Sequence, residues 1–529
     1  MSVRIDGRGL TLEEVVRVAR AREAVEIGPE VASRMRASRA VVEEAMASGT
    51  PVYGVNTGFG ELKNRHIDAA HLGELQRNLL RSHAAGVGDS MPTDTVRAMG
   101  LLRAESLAIG VSGVREEVVR ALIALLNTGV HPVVPEQGSV GASGDLAPLA
   151  HYALVLVGEG EAEYQGHRLP GSEALARAGL APLALEAKEG LGLINGTQQS
   201  TAYLALALAD AELVIEATVA AASMSLEALL GSVSPMHERV TRARRQPGAG
   251  WAARQVRLLT RESALMRSHE ECDRIQDPYS LRCIPQVVGA TLDALEFSLS
   301  VLERELESAT DNPLVFADAS PSEPWHERIL SAGNFHAQPV ALAADVAAIG
   351  LATLASQSER RLHLLTDESR SGLNAFLARD PGLHSGLMLV QYTAAALVSE
   401  NKGLAHPASV DSIPTSAGME DHVSMAPWAG RKLARVVTNA RRVAAAEFLC
   451  AAQALDLRAP LEPGRGTGAL HRAVRRLVPT LAGDRPPAPD LAALDAWIAA
   501  GGVRATLAEA GEPIENPWRR RANGVAALP

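Results

Sequence analysis

The chain has 529 residues, of which 47% are hydrophobic, and its 51 Lys and Arg against 61 Asp and Glu give a net charge of −10. Because a polyanion is bound by a strongly basic surface, this mildly acidic balance argues against nucleic acid as a partner. Cys272, Cys283 and Cys450 are too few and too scattered for a disulfide framework or a zinc site. The first twenty residues lack the continuous apolar core of a signal peptide, so we expect a cytoplasmic protein.

The predicted elements are almost all helices. Aromatic residues make up only 3% of the chain while Ala, Leu, Arg and Glu are abundant, a composition that favours helix over strand and an aliphatic core. Thr11 and Glu14 form a capping box ahead of an apolar run, and Gly28-Pro29 opens a second helical segment. The same 3.6-residue apolar periodicity recurs at residues 118–126, 287–306 and 341–354. We therefore expect a mainly α fold.

The sequence predicts two domains and no membrane partner. A Gly-rich segment ends near Asn195, and long helical patterns rich in Ala and Leu follow it. We therefore place an amino-terminal domain at residues 1–195 and an extended helical bundle with a carboxy-terminal helical tail at residues 196–529. The longest uncharged stretches, residues 190–209 and 382–399, contain Asn, Gln and His. Because polar side chains are costly in a bilayer, these stretches are interpreted as buried helices.

One segment packs three glycines at three-residue spacing around an Ala-Ser-Gly triplet: Gly138-Ser-Val-Gly-Ala-Ser-Gly-Asp-Leu-Ala-Pro148. A phosphate-binding loop has a different glycine pattern, and Asp145 would repel an anion. A helix-capping turn, with Ser143 or Asp145 as the cap, is the ordinary interpretation of an isolated triplet. The third possibility is a backbone reaction in which the nitrogen of Gly144 attacks the carbonyl carbon of Ala142.

Each residue of the triplet suits such a cyclisation. Gly144 is required because any Cβ would crowd the attack, and Ala142 is small enough to tolerate the compressed turn. Ser143 contributes a hydroxyl that leaves and so makes an exocyclic methylene. The product is an electrophile that no ordinary side chain supplies, which makes this segment the candidate catalytic centre.

The segment resembles that of the methylidene-imidazolone (MIO) ammonia-lyases and aminomutases, in which Ala-Ser-Gly cyclises autocatalytically. The resemblance covers nearly the whole chain. The other matching blocks are Tyr53-Gly-Val-Asn-Thr-Gly-Phe-Gly60, Ser82-His-Ala-Ala-Gly86, Lys188-Glu-Gly-Leu-Gly-Leu-Ile-Asn-Gly196, Gln276-Asp-Pro-Tyr-Ser-Leu-Arg282, Asp311-Asn-Pro313, Gly333-Asn-Phe-His336 and Glu420-Asp-His-Val-Ser-Met425. So many ordered blocks beside the triplet make a chance match implausible.

The resemblance implies a mainly α-helical homotetramer whose active sites draw on more than one subunit, with MIO and no external cofactor. Within the family it is greatest to the members that act on histidine, which implies non-oxidative elimination of ammonia from L-histidine to give trans-urocanate. His83 supports this, because a phenylalanine-specific relative would carry an apolar residue there. Tyrosine-acting relatives also carry His there, so a tyrosine or phenylalanine lyase, an aminomutase and a catalytically silent helical scaffold stay open as alternatives.

The resemblance also implies the residues of the chemistry. Ala142, Ser143 and Gly144 would form the electrophile. Tyr53 would be the base that takes the β-proton, for which its surroundings must lower a phenol pKa of about 10. Tyr279 would be a second phenol beside the substrate amine or carboxylate.

The remaining implied residues bind the amino acid substrate. Gln276, Tyr279 and Arg282 recur every three residues, so we predict that they share one face of a helical turn. Arg282 would be the bidentate partner of the α-carboxylate. Asn195 would hold the amine or carboxylate, and Phe335 would pack over the electrophile.

The imidazole side of the pocket is implied to comprise His83, Met388 and Glu420, with Glu420 accepting the imidazole N–H. The chain departs from the family next to Glu420. Many members have Asn-Gln ahead of this acidic residue, whereas this chain has Gly418-Met419. The loss of an amide there weakens the prediction of substrate more than that of the electrophile.

A metal site is not expected. His269-Glu-Glu-Cys272 has the residue types of metal ligands, but no second pair follows at a suitable spacing. We therefore interpret this stretch as a solvated helix face.

Overall fold

The computed structural model describes residues 2–57, 67–68, 71–271 and 274–518. Within these residues helices dominate and the strands are two to four residues long, which confirms the mainly α fold. The helices are α1 (Leu12–Ala19), α2 (Val31–Ser48), α3 (Leu72–His83), α4 (Thr93–Ala108), α5 (Glu116–Thr128), α6 (Leu146–Leu156), α7 (Gly171–Arg177), α8 (Glu189–Ile194), α9 (Gln198–Ala228), α10 (Glu238–Arg244), α11 (Pro247–Leu259), α12 (Ala264–Arg267), α13 (Tyr279–Arg282), α14 (Ile284–Leu306), α15 (Trp325–Arg328), α16 (Gln338–Thr366), α17 (Glu368–Ser371), α18 (Met388–Leu404), α19 (Ala426–Leu457), α20 (Arg465–Leu477), α21 (Ala488–Ala499) and α22 (Gly502–Glu509). The strands are β1 (Ser2–Ile5), β2 (Ala24–Ile27), β3 (Val87–Ser90), β4 (His131–Pro132), β5 (Pro135–Gln137), β6 (Glu161–Tyr164), β7 (His167–Pro170), β8 (Leu314–Val315) and β9 (Ile329–Leu330).

The chain divides into two compact units, and each unit combines three stretches of sequence. Unit 1 contains Met1–Leu206, Leu299–Asp345 and Pro407–Arg431. Unit 2 contains Ala207–Ser298, Val346–His406 and Lys432–Pro529. The domain bounds expected from sequence, residues 1–195 and 196–529, stay a prediction.

The helix starts predicted in unit 1 are present. The Thr11 hydroxyl accepts from the Glu14 backbone N–H at 3.2 Å, and the Glu14 carboxylate accepts from the Thr11 backbone N–H at 2.9 Å, so the capping box precedes α1. Helix α2 follows Gly28-Pro29 as expected. Helix α5 ends at Gly129, whose φ of 76° is one that glycine adopts without strain.

In the part of unit 1 that the structure describes, the strands form four small sheets. β1 and β2 pair in parallel, whereas β4, β6 and β7 form an antiparallel sheet and β8 pairs antiparallel with β9. β3 pairs antiparallel with β5, with an irregular register between Val87 and Ser90. β5 ends at Gln137, so the segment that carries the triplet follows this last strand pair directly in the chain.

A hydrophobic cluster in unit 1 supports the loop of residues 51–57. Its buried members are Val41, Val42, Ala45, Val52, Val55, Val315 and Ile329. The two loop residues of this cluster flank Tyr53, so burial of Val52 and Val55 holds the backbone on both sides of that tyrosine.

Unit 2 is built from long helices with an aliphatic core, as the composition predicted. A buried ion pair lies within it, formed by Arg361 and Glu447, both 0% exposed. The guanidinium donates to both carboxylate oxygens, at 2.5 and 2.8 Å, and the hydroxyls of Ser225 and Ser358 also donate to Glu447. The pair is therefore fully hydrogen-bonded, which a buried ion pair requires.

Helix α16 is the one helix of the described residues that is long and apolar enough by itself to cross a membrane, and 61% of its apolar window is buried inside the protein. The bent pair of α21 and α22 passes the same test if taken together. The sequence has two long uncharged stretches, residues 190–209 and 382–399. The part of the first stretch that lies in α9 is buried. Helix α18 instead exposes Leu389 by 50% and Tyr392 by 58%, so the expectation of a buried helix at residues 382–399 is wrong for the single chain.

The Arg361–Glu447 pair gives a stability prediction. We expect Glu447→Gln to lower the free energy of unfolding by about 3–5 kcal/mol, because Arg361 keeps its charge in a buried place without a counter-ion. Urea unfolding followed by circular dichroism measures the change. The control is Glu238→Gln in the exposed pair of Glu238 with Arg242, where about 0–1 kcal/mol is expected. Equal losses in the two variants would contradict the account.

Candidate active site

The triplet lies in a turn between β5 and α6 that only glycine can complete. Gly144 has a φ of 75°, a left-handed conformation that L side chains avoid. A Cβ on Gly144 would lie 2.2 Å from the carbonyl oxygen of Gly196. Ala142 is only 6% exposed. The main chain of the triplet is therefore packed against another main-chain segment with no side chain between them.

The strip that backs the triplet is Asn195-Gly196, just beyond the end of α8. The backbone N–H of Asp145 donates to the Gly196 carbonyl at 2.7 Å, and Gly144 and Gly196 form an isolated parallel bridge. The Asn195 side-chain amide donates to the carbonyl of Ser143 at 3.1 Å. The other amide atom, Asn195 Oδ1, is buried and accepts no hydrogen bond from the described residues.

The opposite side of the turn contacts the segment that leads into α19. The Met425 backbone N–H donates to the carbonyl of Val140 at 2.9 Å, and the Ser424 hydroxyl donates to the carbonyl of Gly141 at 3.1 Å. The triplet is therefore held from both sides by segments that are distant in sequence but belong to the same unit.

Glu420 is a carboxylate that contacts the triplet directly. The Ser143 hydroxyl donates to Oε1 of Glu420 at 2.8 Å, and the Thr415 hydroxyl donates to Oε2 at 2.6 Å. The backbones of Thr415 and Glu420 also pair in both directions. Thr415 therefore fixes both the main chain and the carboxylate of Glu420.

The residues between Thr415 and Glu420 form a left-handed turn. Ser416, Ala417 and Gly418 have φ values of 51°, 54° and 85°, which are unfavourable for the two residues with a Cβ. Gly418-Met419, where many family members have Asn-Gln, belongs to this turn, and Met419 is 49% exposed. The departure from the family pattern thus lies directly beside Glu420.

His83 is the last residue of α3. Burial lowers the pKa of its imidazole, while a hydrogen bond with the Leu79 carbonyl at 2.9 Å and the negative charge of Glu420 oppose that shift. The ring is consequently neutral at pH 7. The hydrogen bonds of Ser143 with Glu420 and of Asn195 with the Ser143 carbonyl show that the structure brings together Ser143, Asn195 and Glu420.

Asp145 joins the triplet to the first turn of α9. Its carboxylate accepts from the Ser200 backbone N–H at 2.8 Å, from the Ser200 hydroxyl at 3.0 Å and from the Ser139 hydroxyl at 3.3 Å. Asp145 occupies the N-cap position of α6, but its side chain makes no capping hydrogen bond to that helix. Complete burial raises the pKa of Asp145 to about 6, and the hydrogen bonds oppose this shift.

Tyr53 and Phe335 also lie in unit 1, both half-buried and both on turns. Next to Tyr53, Gly54 has a φ of 74°, and a Cβ there would lie 2.8 Å from Pro313. Residues 58–60 of the tyrosine motif lie outside the described residues. Beside Phe335, the ring of His336 stacks on that of His422 with centroids 5.9 Å apart, which ties this turn to the segment of Glu420.

The other candidate residues belong to unit 2. Arg282 lies over the ring of Tyr279 at 4.8 Å, and Tyr279 is 71% exposed. Helix α13 begins at Tyr279, so Gln276 lies before it, and the prediction that all three residues share one helical face is wrong for Gln276. Met388, the first residue of α18, is half-buried.

The backbone around Arg282 is held by buried groups. The Ser280 carbonyl accepts from the guanidinium of Arg361 at 3.3 Å, and the Asp277 carboxylate accepts from the Ser232 backbone N–H at 2.6 Å. The buried ion pair of unit 2 therefore also positions the segment that carries Tyr279 and Arg282.

No group of three or more potential metal ligands occurs among the described residues. His269 Nδ1 lies 2.7 Å from the Leu265 carbonyl oxygen and Nε2 lies 3.1 Å from that of Gly231. Helix α12 ends before His269, so the expected helix face is wrong, and Cys272 lies outside the described residues.

Sequence reasoning missed two residues of this site. Thr415 has no sequence signal, because nothing in the pattern reveals that its hydroxyl meets Glu420. Arg103 does have a sequence signal, because it is the single charged residue of the run Gly100-Leu-Leu-Arg-Ala104. It is 1% exposed in the structure. A charge in such a place predicts a buried polar partner.

The raised pKa of Asp145 predicts a pH dependence. Between about pH 4 and pH 6 the folded chain keeps a proton that the unfolded chain has released, so the folded state loses stability as the pH rises. Asp145→Asn does not titrate. The stability of this variant relative to the original chain should therefore improve by about 2 kcal/mol from pH 4 to pH 6, at about 1.4 kcal/mol per pKa unit. Urea unfolding at several pH values measures this difference, and a constant difference contradicts the account.

Most of the chain is similar to known proteins. The sequence profile of the aromatic amino acid lyases matches residues 10–476. Histidine ammonia-lyase of Myxococcus xanthus is 51% identical over 96% of this chain and 98% of its own. The solved histidine ammonia-lyase from Trypanosoma cruzi has a TM-score of 0.89 at 38% identity, covering 96% of each chain. Tyrosine aminomutase from Streptomyces globisporus has a TM-score of 0.90 at 37% identity, covering 96% of this chain and 99% of its own. The chain therefore belongs to the aromatic amino acid lyase family.

Proposed function

We propose that this protein is a histidine ammonia-lyase, a carbon-nitrogen lyase that eliminates ammonia from L-histidine to give trans-urocanate. The observation that carries the proposal is the carboxylate of Glu420 at the triplet, where its Oε1 accepts from the Ser143 hydroxyl at 2.8 Å. An imidazole offers an N–H to such a carboxylate and a benzene ring does not. Relatives that bear the name histidine ammonia-lyase and are about half identical over almost the whole chain support the same substrate.

The catalytic group of this proposal is MIO, formed from Ala142, Ser143 and Gly144. The residues fit the group, because Gly144 has the left-handed φ and the close main-chain neighbour that exclude any side chain from its nitrogen. Once formed, MIO would supply an electrophilic methylidene carbon, the chemistry that makes the substrate nitrogen a better leaving group.

The chain's own residues bind the substrate and move its proton. Arg282 binds the α-carboxylate as a bidentate donor, with Gln276 and Tyr279 beside it. Tyr53 removes the β-proton. Asn195 uses its unpartnered Oδ1 to accept from the substrate ammonium, while its amide nitrogen stays on the Ser143 carbonyl. Phe335 packs over the electrophile.

The imidazole is bound by His83, Met388 and Glu420. Loss of the Ser143 hydroxyl during cyclisation releases Oε1 of Glu420, because that hydroxyl is the donor to it. Oε2 stays held by Thr415. One carboxylate oxygen thereby becomes available to the imidazole N–H without any movement of the side chain.

The protein works as a cytoplasmic homotetramer whose sites combine residues of several subunits. The thiols of Cys283 and Cys450 are free, as expected in a reducing compartment. Several large apolar side chains are more than half exposed in the single chain, which supports assembly. They include Tyr279, Leu383, Tyr392, Val410 and Ile413. The exposure of Tyr279 fits a residue that completes a site in another subunit.

A tyrosine-acting lyase or aminomutase is the second candidate. The likeness in fold to a tyrosine aminomutase and the missing amide at Gly418-Met419 favour it. The TM-scores of 0.89 and 0.90 do not separate the two activities. The higher identity to histidine ammonia-lyases places histidine first.

Incubation with L-histidine, L-tyrosine and L-phenylalanine tests the proposal. We expect near-ultraviolet absorbance of a conjugated acid to grow with histidine. Ser143→Ala should abolish it, since the variant lacks the hydroxyl from which the methylidene is made, whereas Ser322→Ala on an exposed turn should have no effect. A signal with tyrosine alone, or undiminished activity of Ser143→Ala, would overturn the proposal.

Glu420→Gln should lower kcat/KM for histidine about 10- to 100-fold, from the roughly 1.5–3 kcal/mol of a hydrogen bond to a charged group. The neighbouring Asp421 is exposed, so Asp421→Asn is the matched control and should leave kcat/KM unchanged. Steady-state kinetics with histidine measures both variants. If Glu420→Gln keeps full kcat/KM, the carboxylate does not bind the substrate ring.

A further inference from the structure

Arg103 is a buried cation that the proposed chemistry does not use. It lies on α4 and is 1% exposed, so polar groups inside the protein must balance its charge, although its Nε has no hydrogen-bond partner among the described residues. Nη1 donates to the carbonyl of Asn195 at 2.9 Å and to Oε1 of Gln198 at 3.1 Å, and Nη2 donates to the carbonyl of Gly192. All three acceptors lie between Gly192 in α8 and Gln198, the first residue of α9.

These acceptors include carbonyls that a helix leaves without partners. The last carbonyls of α8 have no intrahelical N–H to accept from, and Arg103 supplies donors to two carbonyls in this stretch. A Cβ on Gly196 would lie 2.4 Å from Nη1 of Arg103, so the guanidinium packs directly on that glycine. Arg103 therefore holds the chain from Gly192 to Gly196 in one place.

The opposite side of this stretch contacts the triplet. The Asn195 amide donates to the carbonyl of Ser143, and the Gly196 carbonyl accepts from the N–H of Asp145. The Asn195-Gly196 strip thus lies between Arg103 and the triplet. A displacement of the guanidinium would move the strip and change the surface against which the triplet is compressed.

The charge of Arg103 is stabilised by the carboxylate of Asp311, which also binds Lys188 at the start of α8. Asp311 lies 3.9 Å from Nη2 of Arg103 and 2.8 Å from Nζ of Lys188, and all three side chains are at most 1% exposed. Lys188 immediately precedes α8 with a φ of 70°. Burial lowers the pKa of Arg103 to about 10, so the guanidinium stays charged at neutral pH.

We infer that Arg103 is a positioning residue for cyclisation of the triplet: it presses the Asn195-Gly196 strip against Ser143, Gly144 and Asp145 and thereby sets the fraction of chains that mature. This inference rests on the proposed function. Cyclisation joins the Gly144 nitrogen to the Ala142 carbonyl carbon, whose oxygen leaves as water with the amide protons of Gly144 and Ser143. Ser143 then loses its hydroxyl and α-proton as a second water, and no oxidant is needed.

The chain offers a matched control on the same helix. Arg97 is 2% exposed and also donates to main-chain carbonyls, but these belong to Val18 and Leu126. Substitutions of Arg97 remove a buried guanidinium from α4 without touching the strip that backs the triplet. An effect on maturation that is specific to Arg103 therefore separates positioning from a general loss of stability.

The test is the intact mass of purified full-length chains, which gives the fraction lighter by two waters. We expect Arg103→Gln to lower this fraction about tenfold or more relative to the original chain, and Arg97→Gln to leave it unchanged. Arg103→Lys keeps the charge beside Asp311 but loses the planar fork that spans Gly192 and Asn195, so an intermediate fraction is expected. Arg97→Lys should again show no change.

Each outcome decides the inference. Suppose that Arg103→Gln and Arg103→Lys are both soluble. If the fraction of chains lighter by two waters is then the same in both variants as in the original chain, the inference is wrong. If Arg103→Gln does not fold, Arg103→Lys alone decides: a fraction equal to that of Arg97→Lys overturns the inference, and a lower one supports it. Failure of the proposed function is separate, because then the original chain itself has the full mass of its residues.

Discussion

The main chain at Gly144 lies directly against the main chain at Gly196, and the arrangement of the candidate site depends on this contact. The carbonyl of Gly196 would be 2.2 Å from any Cβ on Gly144, so no other residue fits at that position of the triplet. The contact needs two glycines, the N–H of Asp145 as donor and the amide of Asn195 beside it. Gly144 and Asp145 lie at the start of α6, and Asn195 and Gly196 lie just beyond the end of α8. The packing of these two helices therefore determines how tightly the turn is held.

Electrostatics around the triplet are equally constrained. Asp145 is fully buried behind the turn and accepts hydrogen bonds from Ser200 and Ser139, whereas Glu420 lies at the turn with one oxygen on Ser143 and the other on Thr415. The two carboxylates therefore have different environments. One joins helices within the fold, and the other is presented to the place where a substrate ring would bind.

The sequence predicted those features that depend on local patterns. The capping box of Thr11, the start of α2 and the end of α5 at Gly129 follow from residues close together in the chain, and the glycine spacing marked the triplet. Contacts between distant residues could not be predicted from the chain alone: Ser143 and Glu420 are 277 positions apart. Arg103 and Thr415 were missed because their partners are determined by packing, and Gln276 was wrongly placed on α13 because a three-residue spacing continues across a helix start.

The triplet is proposed to be converted by its own chain into the catalytic group. The mass of the tryptic peptide that contains the triplet is the most direct test of this conversion. Arg120 and Arg168 flank the triplet with no Lys or Arg between them, so trypsin releases residues 121–168 as one peptide. The mass of this peptide from the purified protein should be lower than the mass calculated from its sequence by two molecules of water. A peptide of full mass in protein that eliminates ammonia from histidine would contradict it.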